Sequence, residues 1–300
     1  MPIETVAILM PGDMGHGCAI AFREHGFRVV TNLEGRSART RGLAETAQLE
    51  DLGSFEAVVQ QADLILSILP PESAVVQAKV VADAMIATGA RPPYADCNAI
   101  SPATSKRAGA EIERAGAAYI DAGIIGSNPV KAKGGTRFYV SGPDTAPMEA
   151  LHGKGVIVRP LGPEIGRASA MKMVYASATK GTFSLHAATL TAAHALGLTD
   201  VYLEEIGASN PAMRAAMEAK VPRIPLDAGR WLGEMHEIAQ TFADAGVTPK
   251  FHEGAADIMA LADRTPIAAE TRETVDESRS LEAVLDMYVE ALQAMKSAAE

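Results

Sequence analysis

Residues 7–22 read AILMPGDMGHGCAIAF. An apolar run that ends in a proline–glycine turn and resumes as small and apolar residues at helical spacing is a buried strand feeding a helix. The dinucleotide turn G-x-G-x-x-G has this form, and Gly12 and Gly15 stand at its last two glycines, with Met10 at the first. Free N–H groups at such a helix start point at an anion, and the glycines let the backbone approach it and let the helix pack on the strand. Gly17 thins the first helical turn further. A methionine does not readily take a positive φ, so the start of the turn is expected to be built differently, fixed by Pro11. A tight strand–helix turn without a ligand has similar glycines. What favours a cofactor turn is its place in the pattern around it.

That pattern alternates up to about residue 160. TVAILM, FRVVT, ADLILSIL, PPYADC, AAYIDAGI and RFYVSG read as strands. Between them, GHGCAIAFREHG, SARTRGLAETAQ, ESAVVQAKVVADAMIA and PATSKRAGAEIERAG have helical period, with Ser37, Ser54 and Ser101 as N-caps and Pro102 at a first helical position. From 163 onward the strand signal is gone. A long alanine-rich helix is followed by amphipathic segments interrupted by Pro211, Pro222, Pro225, Pro249 and Pro266. The expected fold is an α/β Rossmann-type doubly wound sheet over 1–162, a long interdomain helix over 163–195, and an all-helical C-terminal domain over 196–300.

At 300 residues and 48% apolar the chain has enough material for a sizeable core. No apolar run reaches the ~18 residues of a membrane span, and no basic leader precedes an apolar segment. Cys18 and Cys97 are too few for a disulfide framework and wrongly spaced for zinc, and the histidines form no metal cluster by spacing. The default expectation is a cytoplasmic protein acting on a small molecule. A net charge of −10 argues against nucleic acid or an anionic membrane as partner.

The end of the second strand decides which dinucleotide a Rossmann turn takes. Here the chain reads VVTNLEGRSARTRG, with Asn32 near the position where NAD enzymes place an acid, and Arg36, Ser37, Arg39 and Arg41 following. Guanidinium forks suit a 2′-phosphate, so NADP is favoured over NAD. Two other readings stand: the arginines form a solvated helix start, or Glu34 serves an adenosine ribose. His16, next to Gly15, either approaches the pyrophosphate or is a surface histidine at a helix start.

Further on, Lys172, Tyr175, Ala176, Thr179 and Lys180 share one face of the long helix. Two lysines on an alanine-rich stripe are unusual. Burial lowers a lysine pKa and makes it a usable proton donor or acceptor; alternatively both snorkel to solvent from a helix edge.

Taken together, the motifs resemble the β-hydroxyacid dehydrogenase superfamily, which includes 3-hydroxyisobutyrate and 6-phosphogluconate dehydrogenases. MPGDMG at 10–15 is similar to that family's glycine turn, and DCNAISP at 96–102 to its nicotinamide-side segment. DAGIIGS at 121–127 followed by GGTRFYVSG is similar to its substrate loop and strand, and Lys172 takes the place of its helix lysine. PGDMGHG, EGRS, DAGIIG, ASAMKMVYASATKG and RWLGEMHEIA more closely resemble a bacterial branch with a distinctive C-terminal domain and no assigned substrate. The resemblance implies a nicotinamide-dependent oxidoreductase acting between a hydroxyl and a carbonyl, with Lys172 as general acid or base. It implies a cofactor set of Pro11, Gly12, Asp13, Met14, Gly15, Asn32, Arg36, Ser37, Ser67, Leu69, Pro70 and Asn98, and a homodimer interlocked through the C-terminal helices.

Departures from the family pattern bear on the substrate. Tyr175 and Ala176 replace paired asparagines, leaving the second asparagine's role vacant or moved to Tyr175, Thr179 or Lys180. In the substrate loop, Gly123 and Ile124 are followed by Ile125 where the family has a serine, which makes the pocket more apolar. On the C-terminal helix Arg230 could meet an anion, while Trp231 and Met235 form either an aromatic and alkyl substrate surface or ordinary packing. Two alternatives compete: an NADPH-dependent imine reductase, which Tyr175 keeps open although Lys172 weighs against it, and a non-catalytic NADP-binding sensor.

Overall fold

The computed structural model describes residues 2–298, which form two compact units that meet in the chain between Val174 and Tyr175. The first unit holds eight strands: β1 (Thr5–Leu9), β2 (Arg28–Thr31), β3 (Glu50–Asp51), β4 (Leu64–Ser67), β5 (Tyr94–Asp96), β6 (Tyr119–Ile125), β7 (Arg137–Ser141) and β8 (Ile157–Pro160). They make one sheet of order β3-β2-β1-β4-β5-β6-β7-β8. All neighbours are parallel except β6 and β7. Helices α1 (Asp13–Glu24), α2 (Ala38–Thr46), α3 (Phe55–Gln61), α4 (Ala74–Thr88), α5 (Pro102–Arg114), α6 (Pro129–Ala132) and α7 (Ala146–Glu149) connect them.

Side chains alternate across a strand, so a strand buried on both faces feeds two cores. In β1, Val6 and Ile8 enter a cluster with Phe22, Leu64, Leu66, Ile120 and Phe138. Ala7 and Leu9 enter a second cluster with Val30, Ile65, Val81, Met85, Tyr94 and Ile112. The doubly wound sheet expected from the alternation is present, and the three expected serine caps accept from Thr40, Ala57 and Thr104 N–H. The sequence reading passed over β3 and β8. The first has only two residues, both acidic, and the second ends in exposed Arg159 and Pro160, so neither carries an apolar run.

Helix α8 (Arg167–Ala195) starts in the first unit and continues into the second. The second unit also contains α9 (Thr199–Ser209), α10 (Pro211–Lys220), α11 (Pro225–Asp244), α12 (Lys250–Asp263) and α13 (Leu281–Ser297). The prolines that interrupt the sequence pattern stand at helix starts: Pro211 and Pro225 in first turns, Pro249 as an N-cap, Pro222 and Pro266 opening 3-10 turns. None of the eleven residues of α9 is buried. Among the described residues no helix is long and apolar enough to cross a membrane.

The start of α8 is fixed by one carboxylate. Asp121 is fully buried in β6. Its Oδ2 accepts from the N–H groups of Gly166, Ala168 and Ser169 at 3.0, 2.9 and 3.1 Å and from Ser141 Oγ at 2.8 Å. Its Oδ1 accepts from Ser105 Oγ at 2.9 Å and from Ser169 Oγ. Donors at a helix start are otherwise unsatisfied, and their partial positive charge favours an anion. Replacing the carboxylate by an amide turns an –NH₂ toward some of these donors. Asp121→Asn is expected to cost at least ~3 kcal/mol and to lower Tm by about 6 °C or more in a calorimetric scan. An unchanged Tm would mean that the carboxylate does not hold the helix.

Candidate active site

In an open parallel sheet, ligands bind beyond the carboxyl ends of the strands where the winding reverses, here between β1 and β4. The register places Leu9, Ser67, Asp96 and Asp121 side by side across β1, β4, β5 and β6. Met10, Leu69 and Asn98 leave the sheet just beyond that row, and β6 runs on to Ile124 and Ile125 at the same edge.

The β1–α1 turn differs from the sequence expectation at Met10. Its φ is +55°, the left-handed conformation a glycine would supply, and the Gly12 N–H returns to the Met10 carbonyl at 2.7 Å. The shape of the first turn is therefore kept, at a cost of ~1 kcal/mol or more for the side chain. Gly12 is the N-cap of α1 without a side-chain cap, and a Cβ there would meet nothing within 4 Å. That open space above uncapped N–H groups fits a pyrophosphate. A Cβ on Gly15 would come 3.1 Å from Ile8, and one on Gly17 2.8 Å from Asn128. Asn128 also donates to the Asp13 carbonyl at 3.1 Å, which ties the loop after β6 to the cofactor helix. His16 Nδ1 lies 3.1 Å from that same carbonyl.

At the end of β2, Asn32 is buried and its Oδ1 accepts from Glu34 N–H at 3.0 Å, so this amide shapes the loop. Ser37 accepts from Thr40 N–H as the α2 cap. Arg41 braces the loop through the Leu33 and Arg36 carbonyls at 2.6 and 3.3 Å. Arg36 is different. Its Nη1 points at Met10 Sδ, 3.2 Å away, its Nη2 lies 3.5 Å from Gln77 Oε1, and its Nε is buried with no partner among the described residues. A guanidinium held only by a thioether and a distant amide keeps its full positive charge for an anion.

On the other side of the turn, Asn98 Oδ1 accepts from Leu69 N–H at 2.5 Å, and its Nδ2 donates to Ser67 Oγ at 3.2 Å. Pro70 caps the 3-10 turn that follows. Asn98 N–H donates to Asp96 Oδ1 at 3.0 Å, while Asp96 Oδ2 is buried without a partner. Burial pushes the Asp96 carboxyl up from 3.8 to about 7, with Asp121 adding to the rise and the Asn98 N–H opposing it.

Lys172 reaches from α8 to β6, where its Nζ donates to the Ile124 carbonyl at 2.7 Å. A Cβ on Gly123 would stand 2.7 Å from Lys172 Cβ and 2.9 Å from the Ala168 carbonyl. Only glycine lets α8 lie this close to the strand. Lys172 does not snorkel; it is half-buried and fixed. Ile124 and Ile125 beside it are buried at 7% and 2% exposure. The first unit thus brings Lys172, the glycine turn, Arg36 and Asn98 to one edge of the sheet.

In the second unit, Tyr175 is 43% exposed and Thr179 Oγ1 bonds back to its own helix at the Ala176 carbonyl, 3.2 Å away. Lys180 is also no snorkelling lysine. It pairs with Glu234, whose side chain is 2% exposed, and its Nζ lies 5.8 Å from the centre of the Trp231 ring. Arg230 donates to Glu234 at 2.7 Å and to Asp227 at 3.0 Å, and Arg272 donates to Asp227 at 2.8 Å. Phe183 stacks on Trp231 with centroids 6.0 Å apart. Arg230, expected to meet an anion, thus has two carboxylates as partners.

Three contributors escaped the sequence reading. Gln77 is the polar residue in AVVQAKVV and lies on the buried side of α4. Glu234 stands four residues after Arg230, an ion-pair spacing that was readable. Asp121 was seen as part of a loop motif, but its six donors come from three distant segments.

Residues 5–152 match the family model of the NAD binding domain of 6-phosphogluconate dehydrogenase, and residues 193–261 match a domain of unknown function, DUF1932. A conserved protein of unknown function, whose structure was found similar to 3-hydroxyacid dehydrogenases, is 31% identical, with a TM-score of 0.62 over 86% of this chain and 98% of its own. The chain belongs to the β-hydroxyacid dehydrogenase superfamily. Two more distant members of this structural group share its fold. Mycobacterium tuberculosis 3-hydroxyisobutyrate dehydrogenase, solved with L-serine, is 20% identical (TM-score 0.64, 95% and 99% of the two chains). Aspergillus terreus reductive aminase, solved with NADPH and ethyl levulinate, is 18% identical (TM-score 0.54, 96% and 100%). An uncharacterized 28.5 kDa protein of Methanothermus fervidus is 27% identical over 176 residues, 59% of this chain, and the match spans 66% of that relative's length. Superfamily membership supports a nicotinamide-dependent oxidoreductase with the first unit as its dinucleotide-binding domain.

The raised Asp96 carboxyl has a consequence for stability. The folded state binds this proton more tightly than the unfolded chain, so the contribution is most favourable below pH about 4 and is lost as pH rises to about 7. Asp96→Asn keeps an oxygen for Asn98 N–H and removes the ionisation. Urea unfolding of both proteins is expected to show the variant gaining on the wild type between those pH values, by up to ~1.4 kcal/mol per pH unit. A difference that does not vary with pH would mean that Asp96 titrates normally.

Proposed function

We propose that the protein is an NADPH-dependent oxidoreductase that interconverts a hydroxyl and a carbonyl on a small, partly apolar substrate, with Lys172 as proton donor and acceptor. The observation that carries this reading is Lys172 itself. An ammonium fixed by the Ile124 carbonyl, over a glycine that lets its helix approach, stands at the sheet edge where the dinucleotide turn opens.

Gly12 to Gly15 would hold the pyrophosphate, Arg36 the 2′-phosphate, and Ser67, Leu69, Pro70 and Asn98 would line the nicotinamide side. Asn98 is rigid in that role because Leu69 N–H and Ser67 Oγ take both ends of its amide. The nicotinamide, when bound, supplies or accepts the hydride. Lys172 Nζ donates to the Ile124 carbonyl at 2.7 Å, which fixes the ammonium at the carboxyl edge of the sheet, where a substrate oxygen would meet it. In reduction it donates a proton to the carbonyl oxygen; in oxidation it takes the hydroxyl proton. As a cation it also stabilises the developing alkoxide. Buried Ile124 and Ile125 suit an apolar substituent on the substrate. Exposed Tyr175, one turn from Lys172, favours a second reading in which an imine is reduced.

Two substitutions test this. Lys172→Ala should lower turnover of β-hydroxy or β-keto acids by at least ~10²-fold with NADPH affinity nearly unchanged. Unchanged turnover removes Lys172 from the chemistry, and turnover of cyclic imines alone selects the second reading. Calorimetric titration should show NADPH binding at least ~10-fold tighter than NADH, with the preference lost in Arg36→Ala. Equal binding of the two would make Glu34 the better candidate for the ribose.

A further inference from the structure

Three residues from separate elements meet beside the dinucleotide turn: Met10 after β1, Arg36 after β2 and Gln77 in α4. Met10 holds the left-handed conformation with a side chain where glycine would do so without strain. The glycine turn therefore does not account for a methionine at this position. What the side chain adds is its sulfur, 3.2 Å from Arg36 Nη1. Gln77 is 8% exposed, with Oε1 toward Arg36 Nη2 and Nε2 buried without a partner, as is Arg36 Nε. A buried amide and a buried guanidinium nitrogen, both short of acceptors among the described residues, suit an anion at this place.

We propose that Met10 and Gln77 are positioning residues for Arg36 and so determine the preference for NADPH, an inference that rests on the 2′-phosphate reading above. Both are neutral acceptors, the thioether weak and the amide oxygen at 3.5 Å. They orient the guanidinium while leaving its charge available, whereas a carboxylate in either place would form an ion pair and compete with the phosphate. The methionine that breaks the glycine motif thereby links the phosphate turn to the residue that reads the 2′ position.

The test is calorimetric titration of NADPH and NADH into the wild type, Met10→Gly, Gln77→Glu and Arg36→Ala. Met10→Gly relieves the backbone conformation, so its Tm should equal or exceed that of the wild type, and folding does not confound the result. Its NADPH affinity should fall about 5-fold with NADH unchanged, a shift of ~1 kcal/mol. Gln77→Glu should lose ~10-fold or more for NADPH alone. A defect of turn structure would weaken both cofactors together. That result, or a wild-type ratio in both variants, overturns the inference while leaving the 2′-phosphate reading in place if Arg36→Ala still abolishes the preference. A wild-type ratio in Arg36→Ala overturns both.

Discussion

Asp121 is the constraint on which the site depends. A strand residue cannot reach a helix start unless the helix comes down onto the sheet. This one gathers three backbone N–H groups at the start of α8 together with Ser105, Ser141 and Ser169. A buried carboxylate is expensive without partners, so the partners and the charge hold each other in place. With the first turn of α8 pinned, Lys172 follows one turn later with little freedom. At Gly123, two residues after Asp121, a side chain would push the helix off the strand, and glycine has none. Position and reach of the lysine are thus set by two residues of β6.

The same row of the sheet carries a second carboxyl with the opposite environment. Asp96 sits beside Asp121 in register but has one oxygen unpartnered, and burial raises its proton affinity while Asp121 adds repulsion. The contrast follows from donors: six face Asp121, whereas Asn98 N–H serves one oxygen of Asp96. Because Asn98 also carries Leu69 and Ser67, the protonation of Asp96 is wired to the loop after β4.

Much of this was legible in the chain. The doubly wound sheet followed from alternating runs, the caps from Ser37, Ser54 and Ser101, and the glycine turn and Lys172 from motif order. Illegible were features made by distant segments. Nothing in DAGIIG announces that six donors converge on its aspartate, and nothing near Arg36 announces Gln77, forty-one residues away. Met10 was misjudged because propensity was read without context: a positive φ is disfavoured for methionine, but the turn closed by the Gly12 N–H bond to the Met10 carbonyl holds it there. Strands β3 and β8 were too short or too polar to signal themselves.

The lysine stripe of α8 shows how far periodicity carries an argument. Lys172 and Lys180 occupy the same face by spacing, and a single explanation for both was reasonable. Their surroundings separate them. Lys172 donates to the Ile124 carbonyl oxygen on β6. Lys180 rests on the buried carboxylate of Glu234, which Arg230 also bridges, and the ion pairs fix the geometry of the three side chains. Periodicity fixes which residues share a face, but each residue's own partners decide what holds it there. The Lys180–Glu234–Arg230 group ties α8 to α11 beside Trp231.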